Sequence, residues 1–141
     1  CIGIHEYLCD TGTALGAGGT PRQRMQAAFD AFAAHEDRLA ERLLGWLRGR
    51  KGVRIIGRPS ATDGQRVPTI SFVVAGTPSE SIVRHVDGHG IGIRFGDFYA
   101  RRLIESLGLQ GQGGVVRVSM AHYNTEAEID RLIRAFEEVI A

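Results

Sequence analysis

Residues 115–125, which lead directly into the last helical pattern of the chain, constrain the fold more than any other stretch. Alternate residues of a β-strand point to opposite faces, so Val116, Val118 and Met120 fall on one face of this strand. Arg117 then lies on the other face, in the middle of the strand. A guanidinium stays charged and carries a planar set of donors, so when partly buried it needs a carboxylate, a phosphate or several carbonyls. Either the chain or a ligand must supply that group.

The composition is that of an ordinary globular domain. The chain has 141 residues, of which 43% are hydrophobic and 23% charged, and this size suits one domain with one core. The net charge of +1 gives no electrostatic reason to expect nucleic acid or an acidic membrane as a partner. No apolar run approaches the ~20 residues of a membrane span, and no signal peptide is evident. We therefore expect a cytoplasmic protein.

The beginning of the sequence carries two further indications. Cys1 and Cys9 lie so close together that a disulfide would close only a short loop, and we interpret both as free thiols. The first residue is not methionine, so we expect the chain to be part of a longer polypeptide.

Hydrophobic periodicity predicts an alternation of helices and strands. Residues 2–8 favour a short helix that the following glycines should stop, in a flexible segment that packs poorly. Thr20 and Pro21 are typical of a helix start, and the apolar stripe continues to about residue 48. Strands are predicted at 53–56, 67–74, 91–95 and from 115, and helices at 78–88, 99–107 and from 125, where Thr125 and Glu128 form a capping box. This order predicts an α/β (α+β) fold with a small sheet of about four strands covered by helices.

Two histidines have a spacing known from metal sites. His85 and His89 are four residues apart, which places two imidazoles on one helical face. Gly88 and Gly90 should end the helix before His89 can be held, and no third ligand is evident in the sequence. We therefore favour a solvated helix end, with a metal site as the weaker alternative.

The candidates for nucleophilic chemistry are few. Lys51 is the only lysine, and an imine requires a desolvated amine, whereas a position between Arg50 and Gly52 predicts a solvated turn. Cys9 lacks an activating group and is interpreted as a structural thiol. Tyr99 is either an acid/base group or a half-buried aromatic.

Two arginines on neighbouring predicted strands form the best candidate for a binding site. Arg94 ends one strand and Arg117 lies within another, so together they could clamp an anion. Pairing with the chain's own carboxylates is an equally good interpretation of the pattern.

Several motifs resemble the C-terminal small domain of class V aminotransferase-type enzymes of the cysteine desulfurase-like group. The most specific motif is the run VRVSMAHYNT at 116–125, followed by EIDRL at 128–132. The segments AHEDRL at 34–39, GVRIIG at 52–57, PTISF at 68–72 and IGIRFGDFYA at 91–100 are similar to the same domain. The resemblance assigns residues 20–141 to this small domain, with a fold like the C-terminal domain of fold type I transferases that bind pyridoxal phosphate. Residues 1–19 would then be a flexible lead-in or a remnant of the inter-domain linker.

The resemblance implies a parent enzyme that is a homodimer and uses pyridoxal phosphate. The large N-terminal domain, which is not part of this chain, would carry the lysine that forms the Schiff base, so we expect neither bound cofactor nor catalytic residues here, and the isolated chain should be inactive. Arg117 matches the residue that binds the α-carboxylate of the amino-acid substrate, and Arg94 matches an arginine before the active-site loop.

One position departs from the desulfurase pattern. Tyr99 lies where cysteine desulfurases have the sulfur-accepting cysteine, and a phenol cannot replace that thiolate. A transaminase, lyase or epimerase is therefore expected, with Tyr99 among the substrate-binding residues. The alternative is a non-catalytic α/β regulatory or dimerisation module.

Overall fold

A four-stranded antiparallel sheet lies at the centre of the structure, a computed structural model that describes residues 2–140. Its strands are β1 (Val53–Ile56), β2 (Thr69–Val74), β3 (Arg94–Gly96) and β4 (Val115–Ser119). They are arranged in the order β1-β2-β4-β3, and every neighbouring pair is antiparallel. The predicted α/β architecture with about four strands is confirmed, and β4 occupies a central position.

Five helices accompany the sheet. They are α1 (Ile2–Ala14), α2 (Pro21–Arg48), α3 (Ser79–Gly88), α4 (Arg101–Ser106) and α5 (Glu126–Glu137), and a single 3₁₀ turn (Gln110–Gln112) precedes β4. No helix among residues 2–140 combines the length and the apolar character needed to cross a membrane.

The main core lies between one face of the sheet and the helices α2, α3 and α5. The alternation predicted for β4 is confirmed, because Val116, Val118 and Met120 all belong to this core. Its largest fully buried side chains include Phe72 and Phe136, whose rings meet edge to face at 5.5 Å. Each side chain of this size contributes about 1.5–3 kcal/mol when fully buried, so this layer supplies most of the hydrophobic stabilisation.

A smaller cluster covers part of the other face of the sheet. Val73 and Val115 pack there against Ile104 of α4 and against Leu109. The cluster leaves the rest of this face uncovered by any helix among the described residues, and Arg117 lies on it.

The first helix differs from its prediction. Helix α1 does not stop near residue 8 but continues to Ala14, with Leu8, Cys9 and Gly12 buried. A Cβ atom at Gly12 would lie 1.9 Å from the carbonyl oxygen of Arg24, so glycine is needed there for α1 to approach α2. This contact between helices outweighs the helix propensity cost of glycine, which is about 1 kcal/mol. Cys9 is a buried free thiol, and Cys1 lies outside the described residues.

The predicted start of the long helix is confirmed. The Thr20 hydroxyl accepts from the amide of Gln23, whose side chain accepts in turn from the Thr20 amide, which completes a capping box. Thr125 and Glu128 form the predicted capping box of α5 in the same way.

Three predicted elements have different bounds. The strand predicted at 67–74 begins only at Thr69. The strand predicted at 91–95 pairs only from Arg94 to Gly96, because Ile91 and Ile93 pack against the main core without a strand ladder. An apolar pattern reports burial and not pairing. The helix predicted from residue 99 begins at Arg101, because Phe98 and Tyr99 have φ angles of 51° and 64°, which a right-handed helix cannot contain.

Candidate functional site

Arg117 lies in the middle of a polar row that spans β2, β4 and β3. Its register partners are Ser71 in β2 and Arg94 in β3, and residues directly opposite each other in a sheet share one face. The row lies on the face opposite the main core. The sheet therefore brings the two predicted arginines together, with a serine beside them.

The Arg117 side chain has an aromatic partner and no anionic one. Its Cζ atom lies 3.6 Å from the centroid of the Phe98 ring, and the side chain is half-buried. Within residues 2–140 its guanidinium makes no ion pair or hydrogen bond. Among residues 2–140, no carboxylate forms the pair with Arg117 that was the alternative considered from the sequence.

A second half-buried arginine, Arg66, has hydrogen-bond partners for its guanidinium within the chain. Arg66 donates to the carbonyl oxygens of Val67 at 3.3 Å and Thr69 at 2.7 Å, and also to that of Arg58. Burial lowers the pKa of its guanidinium, since the charged form is disfavoured away from water, and the nearby Glu41 carboxylate opposes that effect. Carbonyls thus satisfy Arg66, whereas nothing in the described chain satisfies Arg117.

Arg94 adds a second positive charge on the same face. It is exposed, and its Nη1 donates to the carbonyl oxygen of Ile93 at 2.7 Å. Like charges directly opposite each other on a sheet destabilise it by up to about 1 kcal/mol. An anion bound between Arg94 and Arg117 would turn that repulsion into attraction.

The two ends of this face differ in polarity. The hydroxyls of Thr69 and Ser119 lie 3.3 Å apart at the open end, and the small apolar cluster closes the other end. At the closed end, a Cβ atom on Gly114 would lie 2.3 Å from the carbonyl oxygen of Gly96. Glycine at this position lets β3 approach β4 closely, which fixes the spacing beneath the arginine pair.

The turn after β3 positions Phe98. The Asp97 carboxylate accepts the Tyr99 amide at 3.0 Å, and the Ala100 amide donates to the Asp97 carbonyl at 2.8 Å. Phe98 and Tyr99 both occupy the left-handed region. The turn places the Phe98 ring over Arg117, while the predicted site residue Tyr99 has a fully exposed side chain.

Sequence reasoning missed Phe98. Its position directly after the arginine-bearing strand was the available signal, but an unusual backbone conformation brings its ring to Arg117, and spacing does not reveal that conformation.

The loop that follows β4 is held from several sides. His35 Nε2 lies 2.8 Å from the carbonyl oxygen of Asn124, and the Asn124 side-chain oxygen accepts the Ala121 amide at 2.9 Å. The His122 ring stacks on Phe32 with centroids 4.0 Å apart. Hydrogen bonds from the Thr125 amide, and then from the side chains of Asn124 and Thr125, lower the pKa of the Glu128 carboxyl. These contacts fix the junction of β4 and α5, and hence the position of Arg117.

The remaining predicted site residues lie elsewhere. Lys51 is exposed in the turn between α2 and β1. For His85 and His89 the predicted end of the helix is confirmed: α3 ends at Gly88, and His89 is its C-cap, with its amide directed at the carbonyls of Val86 and Asp87.

The structure is an α/β domain with a small antiparallel sheet, three helices packed on one face and Arg117 in the middle of a central strand. The profile of the aminotransferase class-V family matches residues 14–132. The chain belongs to this family, which confirms the resemblance noted in its sequence.

The most informative relatives are an aminotransferase-like protein of Gibberella zeae and a probable cysteine desulfurase of Pseudomonas putida. They are 40% and 32% identical to the chain over 87% and 88% of its length. The chain spans only 30% and 29% of these relatives.

Solved structures confirm the fold. A cysteine desulfurase of Thermococcus onnurineus matches 85% of the chain with a TM-score of 0.72 at 23% identity, and the cysteine desulfurase CsdA of Escherichia coli matches 89% with a TM-score of 0.64 at 24% identity. The chain covers 28% and 32% of these two structures.

The family uses pyridoxal phosphate, but the residues of this chain do not provide its attachment point. An imine requires a desolvated amine, and the only lysine, Lys51, is exposed to solvent. The described side chains therefore do not fit the covalent attachment of the cofactor.

Proposed function

We propose that the chain is the C-terminal domain of a pyridoxal-phosphate-dependent, cysteine desulfurase-like enzyme, and that Arg117 binds the α-carboxylate of its amino-acid substrate. The observation that carries the proposal is the half-buried guanidinium in the middle of β4, which has no anionic partner within residues 2–140. The N–H groups of this guanidinium are not taken up by the described chain and are free to donate to a carboxylate or an equivalent group. The family supports an amino acid as the source of that carboxylate.

The contacts around Arg117 suit bidentate binding of a carboxylate. The Phe98 ring covers the guanidinium plane, which leaves the N–H groups at its edge free to donate. Two parallel hydrogen bonds from these groups to a carboxylate fix both the position and the orientation of the bound molecule. Arg94 adds positive charge on the same face, and Tyr99, exposed on the adjoining turn, is available to contact the substrate.

In the proposed enzyme, the remaining residues of the active site belong to a part of the longer protein outside this chain. The relatives are about three times as long as the matched segment, which agrees with a large N-terminal domain that carries the Schiff-base lysine. We propose that the complete protein is a homodimer, as the resemblance implies.

The type of reaction depends on which residue occupies position 99. A desulfurase needs a thiolate there to accept sulfur, and a phenol is a poor substitute because the thiolate is the competent nucleophile. We therefore favour transamination, elimination or epimerisation of an amino acid over desulfuration.

The test is an Arg117→Ala variant of the longer protein that contains this chain. Loss of two charge-assisted hydrogen bonds should lower kcat/KM for the amino acid by about 10²–10³-fold. Arg84→Ala is the matched control, because Arg84 pairs with Glu80 on the surface of α3, a helix that packs on the other face of the sheet. Its kcat/KM should match that of the wild type.

An Arg117→Ala variant with wild-type KM and kcat would contradict the role in carboxylate binding. If the longer protein bound no pyridoxal phosphate and converted no amino acid, the alternative of a regulatory or dimerisation module would replace the enzyme proposal.

A further inference from the structure

Three potential metal ligands meet where α3 and α5 end. Nε2 of His85 and Nε2 of His89 each lie 3.3 Å from Oε2 of Glu138, and the three residues each offer one potential ligand atom within 4.8 Å of the other two. The third ligand that the sequence did not reveal is thus supplied by a residue 49 positions beyond His89. We propose that His85, His89 and Glu138 bind a divalent transition metal, with zinc as the best match, that clips the ends of α3 and α5 together.

The distances suit zinc coordination. Zinc binds imidazole nitrogen and carboxylate oxygen at about 2.0–2.2 Å in tetrahedral geometry, which places two ligand atoms about 3.3–3.5 Å apart. The two contacts to Glu138 already have this length. In a bound state the two imidazole nitrogens would have to reach the same separation, and a water molecule would take the fourth position. Two imidazoles and one carboxylate favour zinc over magnesium or calcium, which prefer oxygen ligands.

The polar atoms of the site have little other use. His85 Nε2 is buried and has no hydrogen bond within the described chain, since its contact with Glu138 lacks suitable geometry. The lone pair of a neutral imidazole, directed at a metal, would account for such a nitrogen.

The backbone around the site favours a cation and holds the ligands in place. His89 is the C-cap of α3 and Glu138 the C-cap of α5, and helix C-termini carry partial negative charge. Arg131 of α5 donates to the carbonyl oxygen of His89, which ties the end of α3 to α5. Arg131 also brings a positive charge close to the site, which would repel a metal ion. The negative charge of the Glu138 carboxylate offsets this repulsion.

Zinc binding to the tag-free 141-residue chain tests the proposal. After dialysis against a chelator, calorimetric titration with zinc should show about one site per chain, and saturating zinc should raise Tm by about 5 °C or more. Cobalt should give the intense visible absorption of a tetrahedral site. His89→Ala and Glu138→Gln should each weaken zinc binding at least about tenfold, with circular dichroism confirming that both variants are folded.

Two matched controls separate this site from adventitious binding. Glu137→Gln removes the neighbouring carboxylate, which contacts Arg50 at 3.6 Å rather than the histidines, and His5→Ala removes an exposed histidine of α1. Both should bind zinc as the wild type does. Absence of saturable binding, or equal affinity in His89→Ala, Glu138→Gln and the wild type, would overturn the proposal and identify the cluster as a histidine–carboxylate ion pair. No readout depends on the activity of the longer protein.

Discussion

Phe98 combines an unfavourable backbone conformation with a favourable side-chain contact. Non-glycine residues in the left-handed region cost about 1–3 kcal/mol, and Phe98 and Tyr99 occupy it in succession. The conformation places an aromatic face against the Arg117 guanidinium, an interaction that contributes about 0.5–2 kcal/mol. The strain is thus located where it orients the cation of the candidate site.

Replacing Phe98 should weaken substrate binding without abolishing it. In the longer enzyme, Phe98→Ala removes the ring that orients Arg117, so KM for the amino acid should rise about three- to tenfold. Phe98→Leu is the matched variant, because it keeps apolar volume and lacks a π face. Both variants should behave alike in steady-state kinetics. Full recovery of KM in Phe98→Leu would mean that packing, and not the aromatic face, positions the guanidinium.

At the scale of secondary structure, the contact between α1 and α2 depends on one glycine. Gly12 lies so close to the backbone of Arg24 that no side chain fits between the helices. Gly12→Ala should therefore lower the free energy of unfolding by about 1–3 kcal/mol, because α1 must move away from α2. Chemical denaturation measures this change.

Gly3→Ala provides the comparison on the same helix. Gly3 is exposed, and a Cβ atom there would have nothing within 4 Å, so alanine should raise stability by about 0.5–1 kcal/mol. Equal effects of the two substitutions would show that helix propensity, and not the approach of the two helices, governs position 12.

The elements that could be predicted are those with local signals. Thr20 and Thr125 mark helix starts through capping boxes, and period-2 alternation placed Val116 and Val118 on the core face. The prediction was wrong at Gly12, which sequence patterns treat as a helix breaker and the structure uses for packing. The sequence did not reveal Glu138 as a neighbour of His85 and His89, because Glu138 lies at the end of another helix.

Local sequence signals also predicted part of the candidate site. Strand periodicity put Arg117 on the outer face of β4 and suggested Arg94 as its neighbour, which the register confirms. Only the structure could show that no carboxylate within residues 2–140 pairs with Arg117, since any acidic residue could in principle have reached it.

At the scale of the whole molecule, the proposed function divides the reaction site between this chain and the rest of a longer protein. Arg94 and Arg117 lie on the outer face of the sheet, whereas the only lysine, Lys51, is exposed in the turn between α2 and β1. Pyridoxal phosphate added to the chain should therefore form no saturable imine that borohydride can trap. Mass spectrometry of the reduced chain, with Lys51→Arg as the control, measures this. A stoichiometric adduct that disappears in Lys51→Arg would place the cofactor lysine in this chain.

The outer strands of the sheet have a consequence for the behaviour of the domain among other proteins. Strands β1 and β3 are only four and three residues long, and each carries an arginine, Arg54 or Arg94. Short, charged edge strands are poor templates for pairing with a strand of another protein. The cation that we assign to ligand recognition therefore also guards against amyloid-like association, so neutralising Arg94 would remove a safeguard against aggregation as well as a binding group.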